Sequence, residues 1–254
     1  MYTMKKNIFL LLSTVLVLIF SGCAKDPENL GYSKIMAVNT TPNRTNVDVF
    51  LDGIKANITP LGFGSNSIYY GVTPGSRGIS VMGNITTSFL VGTTIFTTTS
   101  SSLFQQGNFD IKRNDATTPS YTLVIANRAE TPELVLIEDD LTVPAAGKAG
   151  LRLIHAGPDA PRVNAYNGAA TTPIFSATNG YGFKEYTGFT PIDALSTGSS
   201  YSIQIRNNTT GAILRTQTLT AVSGKLYTII LRGLVTADPL YPTNTLSSTL
   251  IGNN

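Results

Sequence analysis

The chain is poor in the residues that most catalytic and metal chemistry needs. Its 254 residues include one cysteine, one histidine and no tryptophan. An intrachain disulfide, a multi-cysteine zinc site and a poly-histidine metal site are therefore excluded by count. Charged residues make up only 13% and apolar residues 42%, the opposite of a disordered chain. Glycine and proline, at 23 and 13 residues, are near ordinary usage and exclude collagen-like or proline-rich linker proteins. Net charge is small. Without Lys5 and Lys6, which lie in a segment expected to be removed, 16 basic residues face 15 acidic ones, and nothing in that balance calls for nucleic acid. Beyond the first thirty residues there is no long apolar stripe of helical period.

What is present begins with an address. Lys5 and Lys6 precede the mostly apolar run Ile8–Phe20, which is too short for a bilayer core needing about 20 residues and has the size of a signal-peptide core. It ends Ser21-Gly22-Cys23, and small residues before the single cysteine resemble the lipobox of bacterial lipoproteins. The alternative is an ordinary secretory signal with a chance cysteine. The resemblance implies a signal peptide over 1–22, a lipidated Cys23 and a tether over 23–30. Several acyl chains on one residue anchor a soluble body stably. Ala24 is not the aspartate that resembles an inner-membrane retention signal, so the outer membrane is expected. Lys25-Asp26-Pro27-Glu28 resembles surface-export signals of Bacteroidetes lipoproteins; a solvated tether is the plainer reading.

The rest of the chain repeats itself. Ile35-Met36-Ala37-Val38-Asn39-Thr40-Thr41-Pro42 matches Leu151-Arg152-Leu153-Ile154-His155-Ala156-Gly157-Pro158 at an offset of 116, and Asn46–Phe50 matches Arg162–Tyr166 at the same offset. Gly71-Val72-Thr73-Pro74 pairs with Gly188-Phe189-Thr190-Pro191, and Tyr121–Val124 with Tyr227–Ile230. Four blocks in the same order imply a duplicated unit, 31–145 and 148–250, and predict that Val47 superposes on Val163 and Pro74 on Pro191. Alternating runs such as Val47-Asp48-Val49 and Tyr201-Ser202-Ile203 read as strands. Asp52-Gly53 and Asn167-Gly168 read as hairpin turns. Short strands separated by Gly, Pro, Asn and Asp predict an all-β chain: two tandem immunoglobulin-like β-sandwich domains after a lipoprotein signal peptide. Thr86–Gln106, crowded with Thr and Ser around Ile95 and Phe96, reads as an edge hairpin or as a sticky, glycan-facing surface.

One stretch carries a family resemblance. Leu151-Arg152-Leu153-Ile154-His155-Ala156-Gly157-Pro158-Asp159-Ala160-Pro161-Arg162-Val163-Asn164-Ala165-Tyr166 resembles the opening motif of the DUF4397 family, a domain of unknown function, and Tyr227–Ile230 with Gly233 resembles its closing strand. The resemblance covers about 148–235. It implies a secreted or lipid-anchored bacterial β-sandwich and no particular activity. Asn164 and Ala165 depart from the Asp and Val that the family favours.

Candidate chemistry is sparse. His155 could act as a base with Asp159 and a hydroxyl such as Ser176 or Ser202. The other copy carries Asn39 at that place, and a carboxamide is no base, so a structural role at the 157–161 corner is expected. No Gly-x-Ser-x-Gly elbow or phosphate loop is present. Glu138-Asp139-Asp140 is the densest acidic cluster but lacks calcium-loop spacing, and reads as a solvated strand end. Tyr181, Phe183, Tyr186 and Phe189, with Tyr69 and Tyr70 in the other copy, are the candidate binding residues, as an aromatic platform or as core. No catalytic residue, metal ligand or cofactor is assigned. The sequence thus predicts an outer-membrane-anchored, non-enzymatic binding or envelope-assembly lipoprotein, its partners the membrane and a glycan or surface protein. A hydrolase with a site between the repeats and a structural spacer are the rivals. The lipidation reading predicts that Cys23→Ser moves the protein from the membrane to the soluble fraction and abolishes incorporation of labelled fatty acid; label persisting in that variant would overturn it.

Overall fold

The computed structural model describes residues 32–254 except 45, 92–93, 114–117, 176, 238 and 240–241, and for 84–101 and 103 the backbone alone. The signal peptide, Cys23, the tether and Ser176 lie outside the described residues. The first half contains β1 (Ser33–Asn39), β2 (Val47–Leu51), β3 (Ile54–Lys55), β4 (Tyr70–Val72), β5 (Gly75–Val91), β6 (Thr94–Ile111), β7 (Ser120–Ala126) and β8 (Glu133–Asp139). The second contains β9 (Lys148–Ala156), β10 (Val163–Asn167), β11 (Thr190–Asp193), β12 (Tyr201–Asn207), β13 (Ile213–Leu219), β14 (Leu226–Arg232) and β15 (Ser247–Gly252). No helix occurs among the described residues.

Each half is a sandwich of two sheets. The first pairs β4-β1-β7-β8 with β3-β2-β5-β6, and the second pairs β11-β9-β14-β15 with β10-β12-β13. In both, the opening strand runs parallel to a late strand, β1 to β7 and β9 to β14, and every other pairing is antiparallel. This corrects the immunoglobulin-like expectation. In that arrangement the first two strands are neighbours in one sheet. Here the corner after β1, where Thr40 N–H donates to the Ile125 carbonyl, carries the chain across to the opposite sheet, so β1 and β2 lie in different sheets.

The duplication is visible in single hydrogen bonds. Val47 exchanges two backbone bonds with Leu61 (3.1 and 2.8 Å), and Val163 exchanges two with Tyr181 (2.9 and 2.7 Å). Gly64 N–H donates to the Asn39 carbonyl and Lys184 N–H to the His155 carbonyl, both at 2.7 Å, each from a residue with positive φ. Ala37 N–H donates to Ser67 Oγ and Leu153 N–H to Thr187 Oγ1. Val47 thus corresponds to Val163, as predicted. Pro74 does not correspond to Pro191: Gly71 pairs with Lys34 and Pro191 with Gly150, so Pro191 takes the place of Gly71. The loop before the strand is longer in the second half, which shifts that block by three residues relative to the sequence match.

Residues 32–254 form one compact unit, because the two halves share a core. Ile35, Val47, Val49, Ile79, Val81, Leu123 and Ile125 fill the first sandwich, and Leu151, Leu153, Val163, Ile203, Ile205, Ile229 and Leu231 fill the second. The other faces of β1, β7, β9 and β14 also carry apolar residues. Met36, Val38, Val124, Ile137, Ile154, Ile230 and Ile251 form a third cluster between the repeats. Strands buried on both faces read as continuous apolar runs, as β1 and β7 do.

That shared core holds one ion pair. Arg152 is 1% exposed, and its Nη1 lies 2.6 Å from Asp139 Oδ1. Its Nη2 donates to Thr122 Oγ1 at 2.8 Å and its Nε to Thr228 Oγ1 at 2.7 Å. Thr122 donates to Asp139, Thr228 to Asn253 Oδ1, Asn253 Nδ2 to the Tyr69 hydroxyl, and Tyr69 to Asp139 Oδ2 at 2.7 Å. The Phe189 ring lies 4.6 Å from the guanidinium carbon. Asp139 is therefore not a solvated strand end: in an extended strand Glu138 points out and Asp139 points in. Removing one member of such a pair leaves an uncompensated buried charge, at a cost of about 3–5 kcal/mol. Arg152→Met is expected to lower the unfolding free energy by about that much in urea titrations. Adding Asp139→Asn to that variant, which removes the stranded charge and reproduces the Asn253 of the other repeat, is expected to restore part of the loss rather than add to it.

Candidate functional site

The aromatic residues singled out in sequence are scattered by the fold. Tyr181 packs edge-to-face on Phe175, ring centroids 6.3 Å apart, at the margin of the second core. Phe183 packs against the shared core, with the Lys184 ammonium 5.5 Å from its ring centroid. Phe189 lies against Arg152, and Tyr69 is locked into the ion-pair network, where burial and the Asp139 charge raise its pKa. Tyr186 alone of the 181–189 set is substantially exposed, at 45%. These residues do not converge on one surface.

His155 is fully buried. Its Nε2 lies 3.0 Å from the Pro161 carbonyl oxygen, and since a carbonyl only accepts, Nε2 carries the proton. Burial lowers its pKa. Asp159 is spent elsewhere, accepting from the Val235 and Thr236 N–H groups at 2.8 and 3.0 Å. Ser202 is exposed on β12. In the first half Asn39 Nδ2 donates to the Arg44 and Leu61 carbonyls, tying down the equivalent corner. The acids behave similarly. Beside a depression of about 700 Å³, Glu138 pairs with Lys112 at 2.5 Å, and Asp140 accepts from Thr142, which lowers its pKa. No group of three His, Cys, Asp or Glu able to hold a metal occurs among the described residues.

A groove remains at one edge of the first sandwich. β3 is the last strand of one sheet and β4 the last strand of the other, and both lie at the same edge. The Asp52-Gly53 turn, with φ of 48° and 81°, folds β3 back on β2 and sets one wall. Between the walls lies a space of about 390 Å³ lined by Tyr32, Leu51, Ile54, Ala56, Tyr70 and Val72. Tyr32 is 64% and Ile54 75% exposed; Ile58, following β3, is 87% exposed and Ile68, preceding β4, 74%. The Tyr70 hydroxyl is buried with no hydrogen-bond partner, and burial raises its pKa. Charges at the rim are neutralised locally: Lys55 pairs with Asp48 at 2.9 Å, and Asp52 with Arg77 at 3.1 Å. Of the sequence candidates only Tyr70 lines this groove. Tyr32 and Ile54 escaped notice because a single exposed apolar residue carries no pattern; only the fold gathers them.

The family model for the domain of unknown function DUF4397 matches residues 33–166. That span takes in the whole first sandwich and the motif at 151–166, rather than the 148–235 expected from the motif alone. No curated protein matches. Among solved structures, the fimbrial anchor protein Mfa2 from Porphyromonas gingivalis is 12% identical, with 87% of this chain and 97% of that one covered, at a TM-score of 0.27. A candidate adhesin from Bacteroides ovatus is 10% identical, with 88% and 94% covered and a TM-score of 0.24. A candidate polysaccharide-binding protein from Bacteroides thetaiotaomicron is 9% identical, with 80% and 92% covered and a TM-score of 0.22. At scores this low the likeness carries neither fold nor function across.

The buried histidine has a measurable consequence. Its pKa lies below the usual 6.5 in the folded state, so the unfolded chain takes up the proton first on acidification. Its contribution is fully present above about pH 6.5 and is lost as pH falls through the depressed folded value. Stability is expected to begin falling just below pH 6.5, above the range where carboxylates titrate, and His155→Asn is expected to flatten that part of the profile in urea midpoints.

Proposed function

The chain belongs to the DUF4397 family, and from that premise and the groove geometry we propose that it is a non-enzymatic binding protein. It is held at the outer membrane by lipid on Cys23 and built of repeats over 31–145 and 148–250. Its ligand surface is the groove between β3 and β4, and the ligand is an extended polypeptide segment of a surface partner. One observation carries this reading. Two sheets end side by side with their outer backbone edges unpaired among the described residues, over an apolar floor. An extended segment recognises such a place through main-chain hydrogen bonds to an edge and alternate side chains in the apolar space. Glycans call for a different surface, with several convergent polar groups. The rim charges here are already paired, and the one buried orphan hydroxyl, on Tyr70, is a single point of specificity.

Buried His155, outward Ser202 and the paired acids give no support to a hydrolase. A spacer needs no exposed apolar groove. The test is a peptide array of segments alternating apolar and polar residues, run beside a glycan array on the same protein. Peptides are expected to be retained, and Ile54→Asp and Tyr32→Asp to abolish that retention without lowering the unfolding midpoint. Glycan retention unaffected by these substitutions would overturn the reading, and no retention on either array would favour the spacer.

A further inference from the structure

The hairpin of β5 and β6 is much longer than its counterpart. Val47 pairs with Gly83 in the first half and Val163 with Asn207 in the second, so Gly83 and Asn207 are equivalent. At Asn207 β12 ends. At Gly83 β5 continues, and eight further pairs with β6 run from Asn84–Ser101 to Val91–Thr94. At about 3.3 Å per residue this arm adds roughly 26 Å of two-stranded ribbon. β2 pairs with β5 only between Ile79 and Gly83, so among the described residues both outer edges of the arm are without a strand partner. The second sandwich shows that the fold closes without it.

The arm's composition is the second observation. Residues 78–109 contain no Asp, Glu, Lys, Arg, His or Pro, and the bulge in the hairpin sits at Val81/Met82, before the arm begins. Natural edge strands are protected from pairing with other chains by charges, prolines and bulges. The arm has none of these and is rich in Thr, Ile and Phe, which favour strands. A two-stranded ribbon alone is marginal in water, whereas four strands are not. The β-rich counterpart β12–β13, by contrast, carries Arg206 and Arg215.

We infer that this arm is where two copies of the chain associate, β6 of one pairing antiparallel with β6 of the other over Thr94–Ser102. β6 is the outermost strand of its sheet along its whole length, whereas a strand added to β5 would run into β2 at the base of the arm. Antiparallel pairing of a segment with itself is a two-fold contact, the commonest way a chain meets its own copy. An uncharged edge permits it, because like charges placed opposite one another would oppose it. The two-fold axis then falls at Thr98. This surface is separate from the groove, and neither reading depends on the other.

The test uses the full chain in mild detergent. Sedimentation equilibrium at micromolar concentration is expected to give two copies per particle, and Thr98→Lys one copy with an unchanged far-ultraviolet circular dichroism spectrum. Thr98→Cys is expected to form an intermolecular disulfide on mild oxidation, which the natural chain, whose one cysteine is Cys23, does not. A single copy of the natural chain at that concentration would overturn the inference, as would a dimer that survives Thr98→Lys and fails to cross-link through Thr98→Cys. A glycan or a different protein captured through the arm by a chain that stays single would overturn it too.

Discussion

A guanidinium and a carboxylate withdrawn from water between two sandwiches set the terms for the rest of the molecule. Arg152 and Asp139 come from different repeats, and neither can be buried alone without a large penalty. Their burial is sustainable because each remaining polar atom nearby has a partner: Thr122, Thr228, Asn253 and Tyr69 close a continuous hydrogen-bonded set around them. The consequence is geometric. The sheets β4-β1-β7-β8 and β11-β9-β14-β15 must meet in one register, and the apolar residues around the pair fill the rest of that interface.

The network is also a record of duplication. Thr122 and Thr228 hold equivalent places beside β1 and β9, and so do Asp139 and Asn253, and Tyr69 and Phe189. Met36 stands in the first repeat where Arg152 stands in the second. Two copies of one surface packed together would bring like groups face to face. Divergence to one arginine, one aspartate and one asparagine turns a symmetric contact into a charge-matched one. The same divergence separates the outer parts of the repeats. The first has the groove between β3 and β4 and the long β5–β6 arm. The second, with three strands in its outer sheet and a short β12–β13 hairpin, has neither. The proposed contacts with other molecules thus lie on the repeat whose extra parts the fold does not require.

Much of this architecture was legible in the residues. Alternating apolar positions, hairpin turn pairs and four recurring blocks announce strands and duplication, because strand period and turn chemistry are local properties. The corner role of His155 was legible too, since the Asn39 of the other copy restricts the position to hydrogen bonding. Sheet assignment was not. Nothing near Thr40–Asn46 tells whether the chain turns back within a sheet or crosses to the next, and the immunoglobulin-like order failed on that point. Nor was the fate of the aromatics. Tyr69, Phe183 and Phe189 look like a platform in a row of letters, and become half-buried packing once the two sandwiches meet, Tyr69 and Phe183 against the shared core and Phe189 against Arg152.

Sequence by itself determined the strands, their repetition, and the exclusion by count of an intrachain disulfide and of multi-cysteine or poly-histidine metal sites, all of which rest on composition or on neighbours within a few residues. Tertiary structure decided what depends on residues far apart in the chain. Asp139 is a surface acid by its neighbours Glu138 and Asp140, and an interior one only because Arg152 is brought 2.6 Å away. Tyr32 and Ile54 are unremarked residues, and Tyr70 one aromatic among several, until two sheet edges place them around one groove. A charge is buried or solvated, and an apolar side chain is core or contact surface, according to what the fold packs against it, and that partner lies beyond the reach of any local pattern.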